Sequence, residues 1–214
     1  MLNIMAKRGE DYQTKEKNNL AQISGSIVEC IYDHEVFGER FYAMHIGVER
    51  KSKTIDYVPI IISERLLDKE SLNDNILVEG QVRTYNKIGS DGKFHLVVRL
   101  FAKKIWWQEI EKPTADENLI KLVGTICKQP IYRVTPFGRK ICELLLAVNR
   151  ENYKSDYIPC IAWEQTAEFS KDLMVGSRIK IEGRFQSRSY RNSKGEDKMA
   201  YEISISQMFL PKAE

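Results

Sequence analysis

Apolar and polar residues alternate along much of this chain. Ile179, Ile181, Gly183 and Phe185 alternate with Arg178, Lys180, Glu182 and Arg184, and Tyr201, Ile203 and Ile205 alternate with Glu202, Ser204 and Ser206. Earlier in the chain, Ile76, Val78, Gly80 and Val82 follow the same rule, as do Phe94, Leu96, Val98 and Leu100. A period of two with one apolar side marks strands that set one face on a core and leave the other free. In the C-terminal part the pattern predicts strands over 118–127, 140–150 and 156–163, then a short helix over 164–172 that stops before Gly176. Two further strands, 177–190 and 197–209, follow, joined by the hairpin-type turn Asn192-Ser193-Lys194-Gly195. Gly89-Ser90-Asp91-Gly92 has the same turn chemistry near the middle of the chain.

The chain also repeats itself. Asp56-Tyr57-Val58-Pro59-Ile60-Ile61 returns as Asp156-Tyr157-Ile158-Pro159-Cys160-Ile161, an offset of 156 − 56 = 100. Phe37-Gly38 returns as Phe137-Gly138 at the same offset, and Gly25-Ser26-Ile27 meets Gly124-Thr125-Ile126 at 99. Solenoid units run roughly 20 to 50 residues, so a period this long is a domain used twice, each copy large enough for its own core. The expected organisation is a flexible leader (1–17), a first domain (18–107), a linker (108–117) around Pro113, and a second domain (118–210). Three strands, a helix and a long two-stranded ribbon form the element order of the OB-fold, a five-stranded Greek-key barrel. The expectation is all-β, two tandem OB-folds, each with a short helix between its third and fourth strands; a small sandwich and an SH3-like barrel are the alternatives.

Composition narrows the function classes. No run approaches the ~18 apolar residues of a membrane span, and the polar N-terminus lacks the apolar core of a signal peptide, so a cytoplasmic protein without a membrane partner is expected. Cys30, Cys127, Cys142 and Cys160 contain no CxxC pair and lie among apolar neighbours, which reads as buried free thiols. His34, His45 and His95 share no metal-ligand spacing and stand near no nucleophile set, so neither an enzyme nor a metal or other cofactor is expected. The net charge of +3 is small, but residues 1–110 carry 16 Lys+Arg against 16 Asp+Glu, whereas 111–214 carry 17 against 14. The whole excess therefore sits in the second copy, and a binding face needs local positive charge.

Several motifs of the second copy, in order, carry a resemblance. They are Asn118-Leu-Ile-Lys-Leu-Val-Gly-Thr-Ile126, Pro130 with Arg133, Pro136 and Gly138, Leu146-Ala-Val-Asn-Arg150, Asp156-Tyr-Ile-Pro-Cys-Ile-Ala-Trp163 with Ala167-Glu168, and Ile181-Glu-Gly-Arg-Phe-Gln-Ser-Arg188. Together they resemble the bacterial single-stranded DNA-binding protein family, and the first copy resembles it more faintly through Asp56-Tyr57-Val58-Pro59 and Val78–Thr84. The resemblance implies an OB-fold that stacks unpaired bases on aromatic rings while basic side chains follow the phosphates. It places the stacking rings at Tyr157, Trp163 and Tyr190, with Tyr153 near a further family aromatic. It also implies a homodimer of four OB-folds, bacterial and nucleoid-associated, with single-stranded DNA, or RNA, as partner. The acidic, phenylalanine-tipped tail through which family members recruit replication and repair enzymes has no counterpart in Phe209-Leu-Pro-Lys-Ala-Glu214.

Residue chemistry leads to the same place. Arg184, Arg188, Arg191, Lys194 and Lys198 surround Tyr190 within 15 residues, a ribbon that interleaves cations with an aromatic. Arg150 adds a cation next to the third strand. The first copy has Ser63 where the second has Trp163, and its ribbon is thinner in cations, leaving Tyr57, Tyr85 and Arg83 as its candidates. Trp106 and Trp107, beside the linker, are expected to pack between copies or subunits. Two rival readings are an accessory protein resembling the primosomal replication protein N family, which bridges single strands to replication proteins, and a protein scaffold without nucleic-acid affinity.

Overall fold

The computed structural model describes residues 17–68, 70, 75–89, 92–108, 117–191 and 195–210. Eleven strands occur among them: β1 (Asn19–Val36), β2 (Glu39–Glu49), β3 (Ile55–Ser63), β4 (Asn75–Ile88), β5 (Phe94–Gln108), β6 (Asn118–Ile126), β7 (Ile131–Val134), β8 (Lys140–Asn149), β9 (Ser155–Trp163), β10 (Arg178–Arg191) and β11 (Asp197–Phe209). One helix, α1 (Glu164–Ser170), follows β9 directly. No helix among the described residues is long and apolar enough to cross a membrane.

Alternation does what the sequence pattern requires. Along β4, Ile76, Val78 and Val82 are buried while the residues between them are partly exposed, and along β10 Ile179, Ile181 and Phe185 are buried in the same way. In the first half β1 pairs with β2, β2 with β3, β3 in parallel with β5, β5 with β4, and β4 with β1, so the strands close into a five-stranded barrel in OB order. β6, β8, β9, β11 and β10 repeat this cycle in the second half. Each barrel bends its ribbon at a bulge marked by glycine. A Cβ on Gly80 would lie 2.3 Å from the Phe101 carbonyl oxygen, and one on Gly183 would lie 2.4 Å from that of Ser204.

The halves are joined edge to edge. β1 pairs antiparallel with β6, and the register puts Ala21 opposite Ile120. These residues are 120 − 21 = 99 apart, the offset of the repeat at this strand, so each half meets its own counterpart as in an isologous dimer. Backbone hydrogen bonds from Ser24 N–H to Glu117 O and from Val123 N–H to Asn18 O, both 2.8 Å, continue the ladder at either end. The joint makes β5-β4-β1-β6-β10-β11 one continuous antiparallel face.

Three expectations need correction. Between β3 and β4 the described residues hold one 3-10 turn, Glu64–Leu66, where a helix was expected; Ser63 Oγ caps it by accepting from Arg65 N–H, and extended Leu67 ends it after three residues. Trp107 does not pack between copies: its indole N–H donates to Leu66 O at 3.1 Å and its ring rests on the core. Cys142 and Cys160 are buried, burial pushing the Cys142 thiol up to about 11, but Cys30 and Cys127 are only half-buried. The short β7 was not anticipated, and the leader up to 16, most of the linker and Lys194 lie outside the described residues.

Candidate nucleic-acid interface

On the second half two rings, Trp163 and Tyr190, lie beside guanidinium groups. Trp163 ends β9 because Glu164 begins α1 with a left-handed φ of 48°, which turns the chain sharply away. Its indole N–H donates to Ser204 Oγ at 3.2 Å, which fixes one edge, while the Arg139 guanidinium lies over the ring at 4.5 Å from the centroid. Ile141 is the cross-strand partner of Trp163, so the turn before β8 carries Arg139 to that position. Near the end of β10, Tyr190 is 43% exposed and Arg188 sits 6.0 Å from its ring centroid. Arg188 also faces Glu202 at 3.7 Å, a carboxylate whose pKa burial raises against the pull of that arginine. Arg191 pairs with Asp197 at 3.2 Å in the open. Tyr157 points outward because Asp156 and Ile158 on either side point in. Tyr153 stands wholly exposed at a left-handed φ of 61°, in the turn closed by Arg150 N–H donating to Lys154 O.

Arg83, Arg150 and Arg184, expected to bind nucleic acid, are engaged by buried carboxylates at the joint between the halves. Arg150 Nε donates to Asp156 Oδ2 at 2.8 Å, and Arg83, from the other half, donates to the same oxygen at 2.9 Å. Thr84 N–H donates to Asp156 Oδ1 at 2.7 Å. The arrangement recurs around Asp56, which accepts from Arg50 Nε at 2.7 Å, from Arg184 of the other half at 2.9 Å and from Ser187 N–H at 2.8 Å. Both carboxylates are fully buried, and a buried charge has to be paired. For Asp156, burial alone would raise the pKa, but Arg150, the Thr84 N–H and Arg83 together outweigh it and hold the carboxyl below its ordinary range. The partners are swapped between halves: Gln81 and Arg83 share one hydrogen bond where Arg184 and Gln186 share the other, so each Asp finds its arginine from an opposite end of the same short segment. These three arginines hold the halves together.

The first half has more equipment than its sequence suggested. Ser63 does replace Trp163, but its cross-strand partner is Phe41, where the second half has Ile141, so the aromatic has moved to the neighbouring strand. His34 stacks on Phe41 with centroids 5.0 Å apart and planes 10° apart, and the tilted Phe101 ring lies 6.2 Å from that of Phe41. Arg99 sits over Tyr85 at 5.8 Å and pairs with Asp33 at 3.3 Å. Tyr85, Arg99, Phe101, Lys103 and His34 line a cleft of about 570 Å³ that Arg150 closes from the second half. Tyr57 is 41% exposed, its N–H donating to Ser187 Oγ across the joint as Tyr157 N–H does to Thr84 Oγ1. Arg139, Phe41 and Arg99 were missed; a cross-strand register would have found them, and linear spacing does not supply one.

The model of the single-strand binding protein family matches residues 117–210. Single-stranded DNA-binding protein B of Bacillus subtilis is 36% identical over 85 residues, which cover 36% of this chain and 75% of that protein. The chain belongs to the single-strand binding protein family. Single-stranded DNA-binding protein 2 of Listeria innocua is 34% identical over 93 residues, which span 58% of its length, and the corresponding match spans 54% of single-stranded DNA-binding protein A of Bacillus subtilis. The chain therefore spans little more than half of these longer relatives. In fold the likeness reaches both halves: the crystal structure of the wild-type single-stranded DNA binding protein from Thermus aquaticus superposes with a TM-score of 0.70 at 19% identity, covering 92% of this chain and 94% of that one.

Proposed function

We propose that this chain is two tandem OB-folds that bind single-stranded DNA by base stacking and phosphate contact, in support of replication, recombination or repair. The observation that carries the reading is the pairing of rings with guanidinium groups on the second half, half-buried Trp163 with Arg139 and exposed Tyr190 with Arg188. A ring offers its π-face to any base, at ~1 to 3 kcal/mol per stack, and the adjacent cation meets the phosphate that follows it. Tyr157, Tyr153 and Arg191 extend this surface. In the first half, Tyr57 and the Tyr85 cleft make a second, differently arranged platform.

The domains run over 18–107 and 118–210. A homodimer of four OB-folds is the assembly we favour, because the joined six-stranded face carries half-exposed Trp106 and Phe209 on its two outermost strands, β5 and β11. Localisation in the bacterial cytoplasm follows from this function.

Titration of the intrinsic tryptophan fluorescence with an oligothymidine and with a duplex of equal length tests the proposal. Quenching and tight binding with the single strand alone are expected; equal affinity for both would overturn it.

A further inference from the structure

Both halves carry an exposed Phe-Gly pair at the tip of one hairpin, though the two turns differ. Phe37-Gly38 links β1 to β2, with Val36 opposite Glu39, as a two-residue turn in which Phe37 has φ 51° and Gly38 φ 78°. Positive φ at both positions defines a type I′ turn, whose first place suits Asn, Asp or Gly, because a bulky L-residue crowds its own backbone there. Phe137-Gly138 links β7 to β8: Gly138 takes the left-handed position at φ 77°, and hydrogen bonds from Gly138 N–H to Thr135 O (2.9 Å) and from Thr135 N–H to Arg139 O (2.8 Å) close the loop. Phe37 is 104% exposed and Phe137 92%. Two phenyl rings are thus held in water, one of them on an unfavourable backbone, at equivalent places in two halves that differ widely elsewhere.

Each tip leads into the strand that meets the aromatic cluster of its half: β2 carries Phe41, and β8 lies beside Trp163 of β9. Two residues beyond Phe137, Arg139 lies on Trp163, and four beyond Phe37, Phe41 stacks on His34. We propose that Phe37 and Phe137 are base-stacking residues that extend the track for unpaired nucleic acid past the barrel face along these hairpins. This rests on the single-strand binding proposed above. Continuity with the ring and guanidinium pairs selects unpaired bases as the occupant, since every base presents a π-face of matching size.

The test uses the full chain with Phe37→Asn, Phe137→Asn and the double variant, compared with Trp163→Ala, in titrations with a long oligothymidine. Each Asn variant should bind roughly five- to a hundred-fold more weakly, the stacking range expressed as affinity. Phe37→Asn should at the same time melt no lower than the parent, because Asn suits its turn. The Phe→Leu pair, which stays apolar but loses the ring, should bind as weakly as the Asn pair. Full affinity in the Asn variants while Trp163→Ala is weakened would overturn the stacking role and leave the broader function standing. Unchanged affinity in all of them would overturn both. A change in particle mass by light scattering with affinity intact would also overturn it, marking the tips as contacts between copies of the chain.

Discussion

Arg184 donates to Asp56 across the joint between the halves at 2.9 Å, and Arg83 donates to Asp156 in the reverse direction at the same distance. Each Asp also holds an arginine of its own half, so two buried carboxylates share four guanidinium groups. Removing one member of a buried pair leaves the other uncompensated, at a cost of about 3 to 5 kcal/mol. Asp56→Ala and Asp156→Ala should each lower stability by that amount in urea melts, whereas Arg191→Ala, whose pair is open to water, should change it by less than about 1 kcal/mol.

The Asp156 network also makes stability depend on acid. The folded carboxyl titrates below its ordinary value, so its contribution is complete above the unfolded pKa of about 3.9 and is lost as pH falls through the folded value. Urea midpoints should drop as pH is lowered below about 4, and Asp156→Asn should flatten that drop while lowering the midpoint at neutral pH. A parent and variant with parallel pH profiles would contradict the assignment.

Binding and stability should separate by residue. Tyr190→Ala is expected to lose about 1 to 3 kcal/mol of affinity for a single strand with little change in melting, and Trp163→Ala to lose as much affinity. Arg83→Gln should do the opposite, weakening the fold while affinity follows only as far as folding does.

Much of this could be read from the sequence. The longer strands of the second half and its ribbon follow from period-two alternation, which burial enforces residue by residue, and its helix from the stretch that stops before Gly176. The repeat predicted one domain used twice, with unequal copies, because Asp-Tyr-x-Pro and Phe-Gly recur at a fixed offset while Trp163 and the basic ribbon do not. The use of the arginines could not be read in this way. Arg184 finds Asp56 across 128 positions of sequence, and only the β1 to β6 joint brings them together. Nor could spacing show that Phe41 stands where Ser63 seemed to leave a gap, because cross-strand neighbours are set by register.

The glycines at the ribbon bulges offer a steric test. Gly183→Ala would place a methyl 2.4 Å from the Ser204 carbonyl oxygen, a backbone atom that cannot step aside without breaking the ladder. A loss of about 1 to 3 kcal/mol is expected in thermal or urea melts, and Gly80→Ala should behave alike.

The most direct measurement is the affinity for a fixed single-stranded oligothymidine as salt is raised. Phosphate contacts release counterions, so log K should fall linearly with log salt, by about 0.7 for each phosphate neutralised on a single strand, and Arg191→Ala should make the slope shallower. An affinity that does not move with salt, or a single-strand affinity too weak to measure at low salt, would contradict the account.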